Sequence, residues 1–216
     1  MSRVWIQEIC GAICPWLALV LVLVELAKRW SGGRLRGPAL LAAGGVIGAG
    51  LLAWPVDGLP LARWIAALNA NFSVTLTGLL AVLVWENAFG RKLFSPSDWA
   101  AAWGFGAMGG LVLYPLAMGW GEFDPYEWGW GFSPLFVAAG ALTAWWLWRR
   151  NRFGWSMLAA VVAWHFRLME SENYWDYLLD PIYSLTGLTM IIGLNCRGCF
   201  RKHHDAQTSP RSDHSS

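Results

Sequence analysis

Seven apolar runs, separated by short polar connections, constrain this chain more than any other feature. They cover residues 9–27, 38–55, 65–86, 97–120, 132–148, 154–170 and 178–195. A helix rises about 1.5 Å per residue, so roughly 20 apolar residues cross the hydrocarbon layer of a membrane. The short alternating segments typical of a membrane β-barrel are absent. The sequence therefore predicts an all-α integral membrane protein, a seven-helix transmembrane bundle within a polytopic membrane domain of residues 1–196.

Composition favours the same class. Hydrophobic residues make up 56% of the chain and charged residues only 14%, whereas soluble domains carry roughly 25% charged residues. The 17 tryptophans also suit a membrane, since indole rings favour the headgroup level and form an aromatic belt. Many stand at the ends of runs: Trp5, Trp30, Trp54, Trp64, Trp85, Trp99, Trp120, Trp148, Trp155 and Trp175.

The charges are sorted between alternate connections. One side receives a formal charge of −6 and the other +8, which together give the net +2 of the chain. Because Lys and Arg stay on the cytoplasmic side during insertion, we expect the N-terminus outside and the C-terminus in the cytoplasm of a cell inner membrane (plasma membrane). The first run is expected to stay as a helix rather than be cleaved as a signal, since Lys28 and Arg29 follow it instead of preceding it.

The basic inner side is expected to meet anionic lipids of the bilayer rather than nucleic acid. Residues 197–216 form a tail rich in Ser, His and Arg, which we expect to be disordered because it has too few apolar residues to bury. Cys196, Cys199, His203 and His204 have a metal-like spacing, but the motif is short and isolated.

Two Asp-Pro pairs predict where helical segments begin on the outer side. In Asp124-Pro125 and Asp180-Pro181 the carboxylate can cap free backbone N–H groups, and proline occupies the first helical position, where no N–H is needed. Ser95-Pro96-Ser97-Asp98 predicts a capped helix start in the same way, and Gly37-Pro38 resembles it. The glycine pairs Gly44/Gly48 and Gly106/Gly110 predict close approach of neighbouring helices.

The candidate functional residues are acidic, aromatic or ionisable groups near the outer side. They are His165, Arg167, Glu170, Glu172, Trp175, Asp176 and Asp180 near the sixth-to-seventh connection, with Asp124 and Tyr126 in the fourth-to-fifth. If the last helix begins near Tyr174, Asp176 and Asp180 share a helix face, since residues four apart are neighbours. Arg167 and Glu170, three apart, can pair on the preceding helix.

Three interpretations of this cluster stay open. Arg167 can neutralise Glu170 and one Asp in a structural network. The cluster can bind a cation or cationic headgroup, with tyrosine and tryptophan supplying aromatic faces. It can also hold a hydrolytic metal ion, for which oxygen-rich ligands favour Mg²⁺, Ca²⁺ or Mn²⁺.

No motif names a reaction or a cofactor, since a nucleophile elbow, a phosphate loop and a dinucleotide fingerprint are all absent. The leading hypothesis is a non-catalytic membrane protein that binds a small cationic or lipid ligand, or a membrane-protein partner, through this outer acidic and aromatic face. One alternative is a metal-assisted hydrolase or transferase acting on a lipid headgroup at the outer leaflet, with Glu172, Asp176, Asp180 and His165 converging on one cavity. A small transporter is the other.

Overall fold

The chain folds almost entirely into helices, as the sequence predicts. The computed structural model describes residues 2–193, with side chains from Trp5 onward. Its helices are α1 (Ser2–Trp30), α2 (Pro38–Ala53), α3 (Leu61–Leu68), α4 (Val74–Phe89), α5 (Pro96–Ala117), α6 (Pro134–Trp148), α7 (Phe153–His165), α8 (Tyr174–Leu178) and α9 (Pro181–Gly193), with a 3-10 helix at Pro125–Gly129. The predicted tail and the Cys196–His204 motif lie outside the described residues and stay predictions.

A small hairpin follows α2. Its strands β1 (Pro55–Val56) and β2 (Leu59–Pro60) are antiparallel, with Pro55 opposite Pro60. The two residues between them, Asp57 and Gly58, have φ angles of +48° and +78°. Two-residue hairpin turns require such left-handed conformations, which Asp and Gly tolerate. The hairpin leads directly into α3, which has no buried residue.

Connections that the charge pattern of the sequence assigns to the same side of a membrane contact one another at the same end of the molecule. At the end we call the acidic end, Arg63 pairs with Glu8 at 2.7 Å, and Gln7 donates to the carbonyl of Met169 at 2.9 Å. At the opposite, basic end, the Lys28 ammonium donates to the Asn87 amide oxygen at 2.6 Å. The two groups of connections are thus separated by the length of the helices.

Among residues 2–193, two helices are long and apolar enough to cross a membrane: residues Trp5–Trp30 of α1, and α5. The other apolar helices, α2, α4, α6, α7 and α9, have 10–17 residues, which corresponds to roughly 15–25 Å. This is less than the ~30 Å of a hydrocarbon core. The helices are therefore shorter than several of the predicted runs.

The predicted run 65–86 is interrupted. Instead of one helix, α3 ends at Leu68 and α4 begins at Val74. Ser73 is the N-cap of α4: its hydroxyl oxygen accepts the backbone N–H of Leu76 at 3.1 Å. The backbone N–H of Ser73 itself donates to the Asp180 carboxylate at 2.9 Å. This long-range bond, which the local sequence cannot reveal, places the start of α4 beside that of α9.

The last two predicted runs also differ from the observed helices in the residues at which they end or begin. The run 154–170 stops at His165, because Arg167 adopts a left-handed φ of +54° and the next N–H, of Leu168, bonds back to the carbonyl of Ala163. This is a Schellman C-cap. The run 178–195 is preceded by the separate helix α8, and α9 starts only at Pro181. Leu179 is extended, so Asp176 and Asp180 do not share a continuous helix face.

The predicted helix caps are confirmed. Ser95 and Asp98 form a capping box at the start of α5, with Pro96 in the first turn, and Pro38 occupies the first turn of α2 after Gly37. Asp124 accepts the N–H of Tyr126 at 2.8 Å. Asp180 accepts the N–H of Tyr183 at 2.9 Å. Each Asp-Pro pair therefore starts a helical segment.

Glycines let α5 and α9 approach closely, as predicted for Gly106 and Gly110. A Cβ atom at Gly106 would lie 2.8 Å from the ring of Tyr183, and one at Gly110 would overlap the side chain of Ser184. Gly187 of α9 in turn packs closely on α5, since a Cβ atom there would lie 2.7 Å from the carbonyl oxygen of Trp103. Gly44 and Gly48 similarly face Val20 of α1.

We expect Asp180→Ala to lower stability strongly. Asp180 is 2% exposed, and its two oxygens separately accept the N–H groups of Ser73 and Tyr183. Loss of both acceptors leaves two N–H groups unsatisfied, a cost of about 2–4 kcal/mol. Thermal unfolding of the purified protein measures the effect.

Asp124→Ala is the control for this prediction. It removes one cap at a half-buried position and is expected to cost about 1 kcal/mol. Equal losses of stability in the two variants would contradict the assigned role of Asp180.

Candidate functional site

The predicted outer connections pack against each other at the acidic end. The indole N–H of Trp175 donates to the carbonyl of Pro125 at 2.8 Å. The Asn173 amide donates to the carbonyl of Tyr126 at 3.0 Å. These bonds join the connection before α6 to the connection before α9, which lie about fifty positions apart in the sequence. The structure thus brings most of the candidate residues into one region.

Asn173 is the central polar residue of this region. It is fully buried, and its side-chain oxygen caps α8 by accepting the N–H of Trp175 at 2.9 Å. The backbone of Gly129 lies against this amide so closely that a Cβ atom would overlap it. Glycine at position 129 therefore allows the 3-10 helix to seat on Asn173.

Asp176 is held by two hydroxyl groups. Tyr126 donates to its carboxylate, with O–O distances of 3.0 and 3.1 Å, and Ser171 donates a further short bond. Burial raises the pKa of Asp176 above its usual value, although the two hydroxyl donors oppose this by stabilising the charged form. Burial, followed by the nearby charge of Asp176, also raises the pKa of Tyr126. The protein itself therefore satisfies the carboxylate predicted to bind a ligand.

Asp180 and Asp124 are likewise engaged in local structure. Both oxygens of Asp180 accept backbone N–H groups, and Asp124 caps the 3-10 helix. Trp175 packs partly buried against the main apolar core. Their observed contacts are those of structural residues.

Arg167 pairs with a different glutamate from the one predicted. Its guanidinium lies 2.7 Å from the carboxylate of Glu172, not in an ion pair with Glu170. The left-handed backbone at Arg167 ends α7, so the i, i+3 helical spacing assumed for Glu170 does not exist. Glu170 instead lines a separate pocket between α1 and α3.

A pocket of about 330 Å³ brings together three of the predicted residues, His165, Arg167 and Glu172. Trp130, Gly131 and Trp164 complete its lining. The indole N–H of Trp164 donates to the backbone carbonyl of Glu172 at 3.0 Å, which holds one wall in place. The Arg167 and Glu172 side chains are 59% and 61% exposed, so their ion pair is accessible to solvent. We call this cavity the indole pocket.

Backbone strain is concentrated at one residue of the indole pocket. Arg167 has a φ of +54°, a left-handed conformation that costs a residue with a Cβ atom about 1–2 kcal/mol. Glycine is the usual residue at this position of a Schellman cap. Arginine at this position contributes the guanidinium that contacts Glu172.

The convergence required by a metal-dependent hydrolase is not present in residues 2–193. No group of three or more His, Cys, Asp or Glu side chains there could hold a metal ion. Glu172 and His165 line the indole pocket, whereas Asp180 is buried between the starts of α4 and α9. The geometry therefore does not favour that alternative.

Several residues of the region escaped the sequence reasoning. Trp130 and Trp164 line the indole pocket, and Ser171 and Asn173 support Asp176 and the fold of the connection. Asn173 carried a usable signal, since Asn is a favoured N-cap and stands directly before α8. No sequence signal distinguished Trp130 and Trp164 from the other fifteen tryptophans.

No protein-family model, curated protein or solved structure matches this chain.

We expect the contribution of Asp176 to stability to depend on pH. Because its folded-state pKa is raised by burial, its contribution is fully present below the unfolded pKa of about 3.9 and is lost as pH rises through the folded pKa. The melting temperature of the wild type, measured relative to Asp176→Asn between about pH 3.5 and 7, should therefore fall as pH rises.

Tyr126→Phe provides the matched control for this prediction. It removes a hydroxyl that stabilises the charged carboxylate, so the transition should move to higher pH. If the melting temperature of the wild type relative to Asp176→Asn instead increases with pH, the raised pKa assigned to Asp176 is wrong.

Proposed function

We propose that this chain is a multi-pass protein of the cell inner membrane (plasma membrane), a seven-helix bundle with its N-terminus outside and its C-terminus in the cytoplasm. The crossings are α1, α2, α4, α5, α6, α7 and α9. Two of them have the length and apolar character required, and a shorter helix can be accommodated by local thinning of the bilayer. Large apolar side chains in the middle of helices, such as Val46 at 74% and Met108 at 61%, are exposed, which suits contact with lipid.

The topology predicts where fused reporters are active. A fluorescent reporter at the C-terminus should behave as cytoplasmic, because the basic connections remain on that side. A phosphatase that is active only outside the cytoplasm should be inactive when fused after Cys199 and active when fused after Gly121. Full activity of the fusion after Cys199 would overturn the orientation.

We further propose that the protein is a non-catalytic binder of a small organic cation at the indole pocket. The observation that carries the proposal is a carboxylate, Glu172, that lines the same pocket as two indole rings, Trp130 and Trp164. Aromatic faces attract ammonium groups by about 0.5–2 kcal/mol, and tryptophan does so best. The predicted outer charge of −6 would raise the local concentration of cations.

Arg167 competes with a ligand for Glu172 but does not prevent binding. More than half of each side chain is exposed, and exposed ion pairs contribute only about 0–1 kcal/mol. A cation that also contacts the indole rings can therefore displace the guanidinium. Arg167 then acts as an internal competitor that keeps the affinity low.

We expect tetramethylammonium, used as a probe, to raise the melting temperature of the wild type. Glu172→Gln should weaken binding about fivefold, since it removes a charge interaction of about 1 kcal/mol. Trp130→Leu should weaken it because an aromatic face is lost. Arg167→Gly should strengthen it, because the competing cation is removed and glycine tolerates the left-handed backbone. Isothermal titration measures the affinities.

Glu127→Gln is the matched control, because Glu127 is exposed at the same end but does not line the pocket. It should leave binding unchanged. If Glu172→Gln and Glu127→Gln weaken binding equally, the attraction is a diffuse effect of charge and the pocket assignment is wrong. If no variant differs from the wild type in its affinity for tetramethylammonium, the proposed cation site is wrong. Binding of a lipid or of a membrane-protein partner then replaces it.

A further inference from the structure

A second pocket at the acidic end contains groups of both charges. It has a volume of about 230 Å³ and lies between α1, α3 and the Met169–Glu170 segment. Glu8 and Arg63 form a 2.7 Å ion pair at its wall, and Glu170 contributes a further carboxylate. We call it the headgroup pocket. It shares no lining residue with the indole pocket.

The headgroup pocket contains unused hydrogen-bond donors. Arg63 contacts Glu8 through Nη2, which leaves other N–H groups of its five for an anion.

An apolar groove continues from the headgroup pocket. It has a volume of about 500 Å³, lies between α1 and α2, and shares Ala12, Pro60 and Ala62 with the pocket. Trp16 contributes to its lining and is fixed by an indole N–H bond of 2.9 Å to the carbonyl of Gly45. The mixed-charge cavity and the apolar groove thus lie next to each other, with three lining residues in common.

The helix beside the headgroup pocket has the character of an interfacial helix. No residue of α3 is buried, and its apolar side chains Trp64 and Leu68 are exposed at 43% and 89%. Short amphipathic helices of this kind lie in the membrane interface, with apolar side chains toward the acyl chains. If the chain spans the membrane as proposed above, α3 places the headgroup pocket at the level of the lipid headgroups.

We propose that the headgroup pocket and the groove together bind one phospholipid whose headgroup carries both a phosphate and a primary ammonium. Arg63 holds the phosphate, Glu170 holds the ammonium, and the groove beside Trp16 takes an acyl chain. A soluble anion would not account for the groove, and a purely anionic lipid would not account for the carboxylate of Glu170. The inference rests on the membrane location proposed above, but not on cation binding at the indole pocket.

The test uses the full chain in a mild detergent and native mass spectrometry. The probes are phosphatidylethanolamine, phosphatidylglycerol and free phosphoethanolamine. We expect one phosphatidylethanolamine to bind, several-fold more tightly than phosphatidylglycerol, while free phosphoethanolamine binds weakly. Arg63→Gln should weaken phosphatidylethanolamine binding about tenfold, as expected for loss of a charged hydrogen-bond donor. Glu170→Gln should remove the preference over phosphatidylglycerol.

Two further variants separate the parts of the proposal. Ala12→Phe fills the junction between pocket and groove, so it should abolish lipid binding while leaving Arg63 and Glu170 in place. Arg34→Gln is the control, because Arg34 is an exposed arginine in the connection after α1 and its loss should change nothing. All variants should keep the wild-type melting temperature in lipid-free detergent.

Defined results would overturn the proposal. Equal binding of the two lipids would refute the zwitterionic headgroup, and equal binding of free phosphoethanolamine would refute the role of the groove. A dimer that Ala12→Phe dissociates would show that a second copy occupies the groove instead. Failure of the membrane location gives a different result: the protein would then remain monodisperse in buffer without detergent.

Discussion

The Asp180 carboxylate is the interaction on which the arrangement of the helices depends. Its two oxygens accept the backbone N–H groups of Ser73 and Tyr183, so a single buried side chain fixes the starts of α4 and α9. Burial of a polar group is costly unless it is hydrogen-bonded, and here the helix starts supply the donors. Because α9 packs on α5 through Gly106 and Gly187, the same carboxylate indirectly positions three helices.

The candidate carboxylates of the acidic end divide into two kinds. Asp124, Asp176 and Asp180 are satisfied by N–H or hydroxyl donors of the protein, so ligand binding at any of them would have to break a structural bond. Glu170 and Glu172 are exposed and line pockets. Because these two carboxylates are accessible, the two proposed sites use glutamates rather than aspartates.

Much of the local structure could be predicted, because helix caps act over two or three residues. The capping box of Ser95 and Asp98 and the roles of Asp124 and Asp180 follow from this short range. The partner of Arg167 could not be predicted, because a left-handed backbone at Arg167 itself ended the helix on which the Glu170 spacing relied. The start of α4 has a local signal in its N-cap Ser73, but its position beside α9 could not be predicted, because the bond that places it there comes from Asp180, 107 positions from Ser73.

The sequence by itself determined the helical class, the caps and the separation of acidic from basic connections, because apolar run length and capping are properties of neighbouring residues. The tertiary structure alone decided which charges are buried, which tryptophans line a pocket, and that α3 lies apart from α4. Trp130 and Trp164 are 34 positions apart and meet at one cavity only because Asn173 and Gly129 dock the two connections together. Such contacts depend on packing between distant segments, which composition and spacing do not encode.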